Sequence, residues 1–208
     1  MKRASRITAT VVGLFAGGAS VEHGIYEILQ GNLRPEGLMI SSMGPPCQPE
    51  AVWHLCEPAL TILPNFLVTG ILAVTIGAFF MVWSLAFVQR RGGGLVMILS
   101  AVPMLLFGGG IFPPFIGILG GIVGIRLHRA AGASRTRRPG VFFRLLARLW
   151  PWALIILAAW LLGQWLVGYY FNDFLMGTGF FIPLFIVGLL ALSLLSAVAR
   201  DRTRQGED

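Results

Sequence analysis

Charge is the scarcest commodity in this chain. Only 12% of its 208 residues are Asp, Glu, Lys or Arg, roughly half the share of an ordinary soluble domain. With 56% of the residues apolar, so few charges cannot clothe a water-exposed surface, and lipid must solvate much of it. The recognisable chemical motifs are missing too. There is no Gly-Lys phosphate loop, no dinucleotide fingerprint, no nucleophile elbow and no HExxH pair. No apolar run carries the spaced arginines of a voltage sensor. The net charge of +7 does not indicate nucleic acid, because the basic residues are dispersed among the ends of apolar runs with no aromatic-basic recognition motif. Cysteine is almost absent. Its two instances, Cys47 and Cys56, stand too far apart for the CxxC arrangement of a redox pair.

What is abundant is long apolar sequence. A helix needs about 20 such residues to cross the hydrocarbon core, and candidate runs occupy residues 7–29, 59–88, 95–125, 150–171 and 179–199. The third is long for one span and is interrupted by FGGGIFPPF. Three glycines weaken a helix, and the adjacent prolines lack the N–H needed to continue one. Positive charge favours a short helical hairpin here, with its turn at 108–115. Lys2, Arg3 and Arg6 place the N-terminus inside. If 95–125 enters and returns on one side, the basic loop 126–149 is also inside, and every Lys and Arg of the chain except Arg34 is cytoplasmic. A single kinked span would put that loop outside. The expected fold is therefore all-α: an integral membrane protein of one domain, a bundle of four full spans plus a hairpin. Both termini lie in the cytoplasm, residues 30–58 form an external loop, and the home is the plasma membrane.

Several weaker signals accompany this frame. The first run resembles a signal sequence at its start, but helical pattern continues to Leu29, which favours an uncleaved helix. Glycines four apart (Gly13 and Gly17, Gly117 and Gly121, Gly120 and Gly124) offer close helix packing, either within the chain or at a homo-oligomer or partner-subunit seam. Cys47 and Cys56 share the exported loop, an oxidising setting in which a disulfide is expected. Arg144 and Arg148 in VFFRLLARLW stand at helical spacing among apolar residues, a pattern suited to the cytoplasmic leaflet surface and its anionic lipid. The same stretch can also be read as a simple lead into the next span.

The sharpest chemical feature is VEHGIYEILQ. At about 100° per residue, Glu22, His23, Tyr26, Glu27 and Gln30 fall within an arc of about 140° on an otherwise apolar helix. Measured from Arg6, Glu22 lies about 24 Å along that helix, short of the far boundary of a hydrocarbon core about 30 Å thick. Ionisable groups at such depth face the bundle interior or water. His54 and Glu57 precede the second span, and Asn65 follows Pro64 within it, so all three are candidates to meet the stripe. Imidazole and carboxylate donors together suit Zn or Fe, which makes a metal centre one reading. A proton-binding or hydrogen-bonded packing site is another, and Glu57 before Pro58 also reads as a helix-capping carboxylate. Two function classes follow. The first, which a broken helix pair favours, is non-enzymatic: a small transporter, ligand-binding bundle or subunit of a membrane assembly. The second is a membrane-embedded metalloenzyme acting at the outer leaflet, for which no catalytic roles can be assigned.

Overall fold

The structure, a computed structural model, describes residues 2–41, 56–128, 140–178 and 181–204. Within these residues the chain forms α1 (Arg3–Gln30), α2 (Phe66–Ala86), α3 (Gly93–Leu106), α4 (Phe112–His128), α5 (Val141–Leu149), α6 (Trp152–Tyr170), α7 (Asn172–Thr178) and α8 (Phe181–Arg204). Two short strands, β1 (Met39–Ser41) and β2 (Pro58–Leu60), pair antiparallel near the end of α1, with Ile40 opposite Ala59.

Local chemistry sets the boundaries. α2 begins at Phe66 rather than at residue 59, where the apolar run starts. Pro58, Ala59 and Leu60 are taken by β2, and Asn65 then adopts an extended conformation and accepts a hydrogen bond from the Val68 N–H at 3.0 Å, an N-cap. A short apolar run does not distinguish strand from helix, which is why this start was not visible in the pattern. Asn172 and Asp173 open the short helix α7. The long run 95–125 is divided into α3 and α4. Gly108 and Gly110 take φ of 80° and 81° between them, and Pro113 and Pro114 fall in the first turn of α4, where the missing N–H costs nothing.

Packing is built on glycine. α1 and α2 run antiparallel along a seam in which Gly17 faces Gly77 and Gly24 faces Gly70. A methyl added at Gly24 would stand 2.7 Å from the Gly70 carbonyl oxygen, and one at Gly77 would stand 2.7 Å from that of Gly17. Each helix thus places two glycines one heptad apart on its contact face. In lipid no hydrophobic force draws helices together, so backbone approach of this kind supplies the van der Waals contact. α3 and α4 are likewise antiparallel, with Gly94 near the start of one against Gly121 and Ile125 near the end of the other. α4 completes the core by setting Gly117 on Phe80, Gly120 on Val12 and Gly124 on Val88. Leu157 of α6 and Leu190 and Leu194 of α8 close the same cluster.

One end of the bundle is fastened by polar contacts. Asp201, buried near the end of α8, accepts hydrogen bonds from the Ala4 and Ser5 N–H groups at 2.9 and 2.8 Å. These are first-turn donors of α1 that have no partner within their own helix, and a carboxylate makes the stronger kind of bond to them. Trp150 Nε1–H donates to Thr8 Oγ1 at 3.2 Å, and Lys2 Nζ donates to the Arg126 carbonyl. Burial holds the Lys2 ammonium below its ordinary pKa; the Asp201 carboxylate opposes that shift and Arg202 reinforces it.

The outward surface decides the medium. Leu162 and Leu166 on α6, Leu184 and Val187 on α8, and Val82 and Leu85 on α2 are all exposed, while Ser20, Thr69, Ser84 and Ser193 are buried. A soluble monomer does not expose apolar area on this scale. Four helical runs are long and apolar enough to cross a bilayer: α1, α2, α5 with α6, and α8. The chain is an all-α, multi-pass membrane bundle.

The glycine seam gives a direct test of the packing. Gly77→Val should destabilise the purified protein by about 1–3 kcal/mol through overpacking, read by unfolding in mixed micelles. Gly163→Val, where an added Cβ meets nothing within 4 Å, should stay within about 0.5 kcal/mol. Equal losses at the two positions would contradict the seam.

Candidate functional site

Ser20, His23 and Glu27 recur at three- and four-residue spacing along α1 and so form one line on its surface. That line faces inward. Ser20 and Glu27 are fully buried and His23 is 7% exposed. Directly above it lies the turn between α3 and α4. A Cβ on Gly109 would come within 2.6 Å of Ser20 Oγ, and one on Gly110 within 2.8 Å of His23 Nε2. At Gly108 an added Cβ would overlap both carboxylate oxygens of Glu27 and stand 2.5 Å from Thr69 Cγ2. Each glycine of the triplet thus covers one polar side chain of α1. The residue type is required twice over at Gly108 and Gly110, by space and by positive φ.

The turn is strapped in place by backbone. Gly108 N–H donates to the Leu60 carbonyl at 2.8 Å, and Ile62 N–H donates to that of Leu106 at 3.0 Å. Thr61 and Phe107 form an antiparallel bridge, and Thr61 N–H donates to the Leu38 carbonyl at 2.8 Å. The residues after β2 therefore tie the glycine turn to β1. Polar side chains fill the remaining space: Thr61 Oγ1 and Thr69 Oγ1 share a hydrogen bond at 3.0 Å, and Ser20 Oγ–H donates to the Ala73 carbonyl at 3.2 Å.

At the rim, His23 Nε2 lies 3.5 Å from Glu57 Oε2, with the Glu57 side chain 27% exposed. The distance is at the outer limit of a hydrogen bond and within that of an ion pair. Exposure falls from Glu57 through His23 to Glu27. Glu22, Tyr26 and Gln30 are partly exposed on the flank of α1, with Gln30 Nε2 donating to the Ser41 carbonyl at 3.3 Å.

The structure brings Glu57 to His23 and sets Glu27 one turn further along the same buried line of α1. Asn65 is instead the surface cap of α2, donating to Asn32 Oδ1. Glu57 does not cap a helix, because Pro58 opens a strand. His54 and Cys47 lie outside the described residues, and Cys56 is not a free thiol. Among the described residues no group of three or more His, Cys, Asp or Glu is close enough to hold a metal ion. Sequence reading missed Ser20, Thr61 and Thr69. Ser20 had a usable signal in its spacing to His23 and Glu27; the threonines reach the site only through the tertiary fold. It also took 108–110 for a turn alone, without the cover it provides. No protein-family model matches this chain, and neither does any curated protein or any solved structure. Fold and composition identify a multi-pass α-helical membrane protein and assign it no activity.

The contact between turn and carboxylate predicts energetic coupling. Gly108→Ala should cost about 1–3 kcal/mol from strain at positive φ and overlap with Glu27. In a Glu27→Ala background, where the overlap with the carboxylate is removed and that with Thr69 remains, the same change should cost less, with a coupling of about 0.5–3 kcal/mol. Strictly additive unfolding energies in detergent would show that the two residues do not touch.

Proposed function

We propose that the protein is a small, non-enzymatic transporter or ligand-binding bundle of the plasma membrane, in which Glu57, His23 and Glu27 carry protons between the outer end and the core. The observation that carries this reading is Glu27, a fully buried carboxylate beneath a glycine turn that interrupts two short apolar helices. A glutamate inside a bilayer costs too much to keep as filler and marks an ion or proton path by default. Broken helices with irregular backbone at membrane depth are the usual setting of transporter sites. The graded exposure of the three titratable groups supplies a route from the rim inward. Orientation belongs to the same reading. The ends of α1 and α8 that meet at Asp201, together with Arg90, Arg91 and Arg126, face the cytoplasm, leaving β1, β2 and the glycine turn at the outer leaflet.

A group that moves protons must change its own protonation. Infrared difference spectra of the reconstituted protein between acidic and alkaline buffer should contain a carboxylic C=O band that Glu27→Gln removes without loss of fold. Identical spectra for wild type and Glu27→Gln would mean that Glu27 holds one protonation state throughout. It would then be a packing group, and the proposal would fail.

A further inference from the structure

α5 sits at the end of the bundle where α1 meets Asp201, and its residues divide into three sectors. At about 100° per residue, Phe143, Leu146 and Ala147 share the covered side; Ala147 is buried and the other two are partly so. α8 is the helix they pack against, and Arg202 lays its guanidinium 5.5 Å from the Phe143 ring centroid. A second sector, Val141, Phe142, Leu145 and Leu149, is exposed and wholly apolar, with Phe142 71% accessible. Arg144 and Arg148, both exposed, form the edge between the two.

The occupant of this surface follows from its continuity and its charge. The apolar sector is followed directly in the chain by the exposed flank of α6 at Trp152, Ile155 and Ile156, the kind of apolar helix flank that lipid tails cover in a spanning helix. Whatever covers α6 therefore also covers α5. Among the described residues no free anion stands at the level of the arginines: α5 contains no acidic residue, and Asp201, the acid described at this end, is buried and engaged by Ala4 and Ser5. Guanidinium forks match phosphate oxygens in geometry and charge, and long basic side chains beside an apolar face reach for the headgroup layer. We propose that α5 is a docking surface for anionic phospholipid, with acyl chains on the apolar sector and the headgroup phosphate on Arg144 and Arg148. Assignment to the cytoplasmic leaflet rests on the orientation given above.

The test uses the full chain in nanodiscs whose two leaflets are the same equal mixture of phosphatidylglycerol and phosphatidylcholine. After mild detergent extraction, native mass spectrometry counts the retained lipids of each kind. Wild type should retain phosphatidylglycerol well above its share of the mixture. Arg144→Gln with Arg148→Gln should lower the ratio of phosphatidylglycerol to phosphatidylcholine among the retained lipids by up to about fivefold per arginine, while Arg34→Gln, far from α5, leaves it unchanged. Should the glutamine pair fail to fold, wild type at high salt, which screens surface charge, must show the same loss. Retention at the bulk ratio, or enrichment indifferent to both Arg144 and Arg148 and to salt, would overturn the proposal. Because the leaflets are identical, such a failure would remove the lipid site and leave the orientation of the bundle untouched.

Discussion

A carboxylate inside a lipid-solvated bundle must be met by protein, because the hydrocarbon offers it no hydrogen-bond partner. Glu27 imposes that constraint on its surroundings. It sits fully buried on α1, and the chain covers it with Gly108, whose backbone lies so close that no side chain fits between them. That approach requires a turn over α1, which in turn requires two short helices where one long one would otherwise run. The peptide groups around the turn need partners as well, and the end of β2 and the residues after it provide them through Leu60 and Ile62. The broken helix, the strand pair and the glycine triplet thus act together as one cover over Glu27.

The same economy of close approach governs the rest of the bundle. Gly17 on Gly77 and Gly24 on Gly70 let α1 lie against α2, which puts Thr69 and Ala73 beside the polar line of α1. Gly94 on Gly121 joins α3 to α4 and so holds the turn over that line. At the opposite end Asp201 caps α1 from α8. The polar line is therefore fixed by glycine seams along its length and by a carboxylate clamp at its far end.

How much of this was legible beforehand depends on the kind of information involved. Hydropathy locates the apolar helices, because spanning length is a one-dimensional property of the chain. FGGGIFPPF marks the break between α3 and α4, because glycine and proline act locally. His23 and Glu27 stand out for the cost of their burial. Hydropathy sets the start of α2 too early, since Ala59 and Leu60 are apolar in strand and helix alike. Asn65 was read as a site residue when its local role is a cap. The heptad-spaced glycines of the α1–α2 seam, and the facing of each turn glycine to one α1 side chain, are relations between distant segments that no single-segment pattern carries.

The central claim is that the glycine turn rests on the polar line of α1, and proximity can be read directly. In a background lacking Cys47 and Cys56, cysteines at Ser20 and Gly109 should join rapidly under mild oxidation in native membranes, since a Cβ at Gly109 reaches to 2.6 Å from Ser20 Oγ. The joined protein should migrate as a monomer that reverts on reduction. A pair that stays fully alkylatable, while cysteines at Thr61 and Thr69, whose hydroxyl oxygens stand 3.0 Å apart, do cross-link in the same background, would separate the turn from α1 and contradict the account.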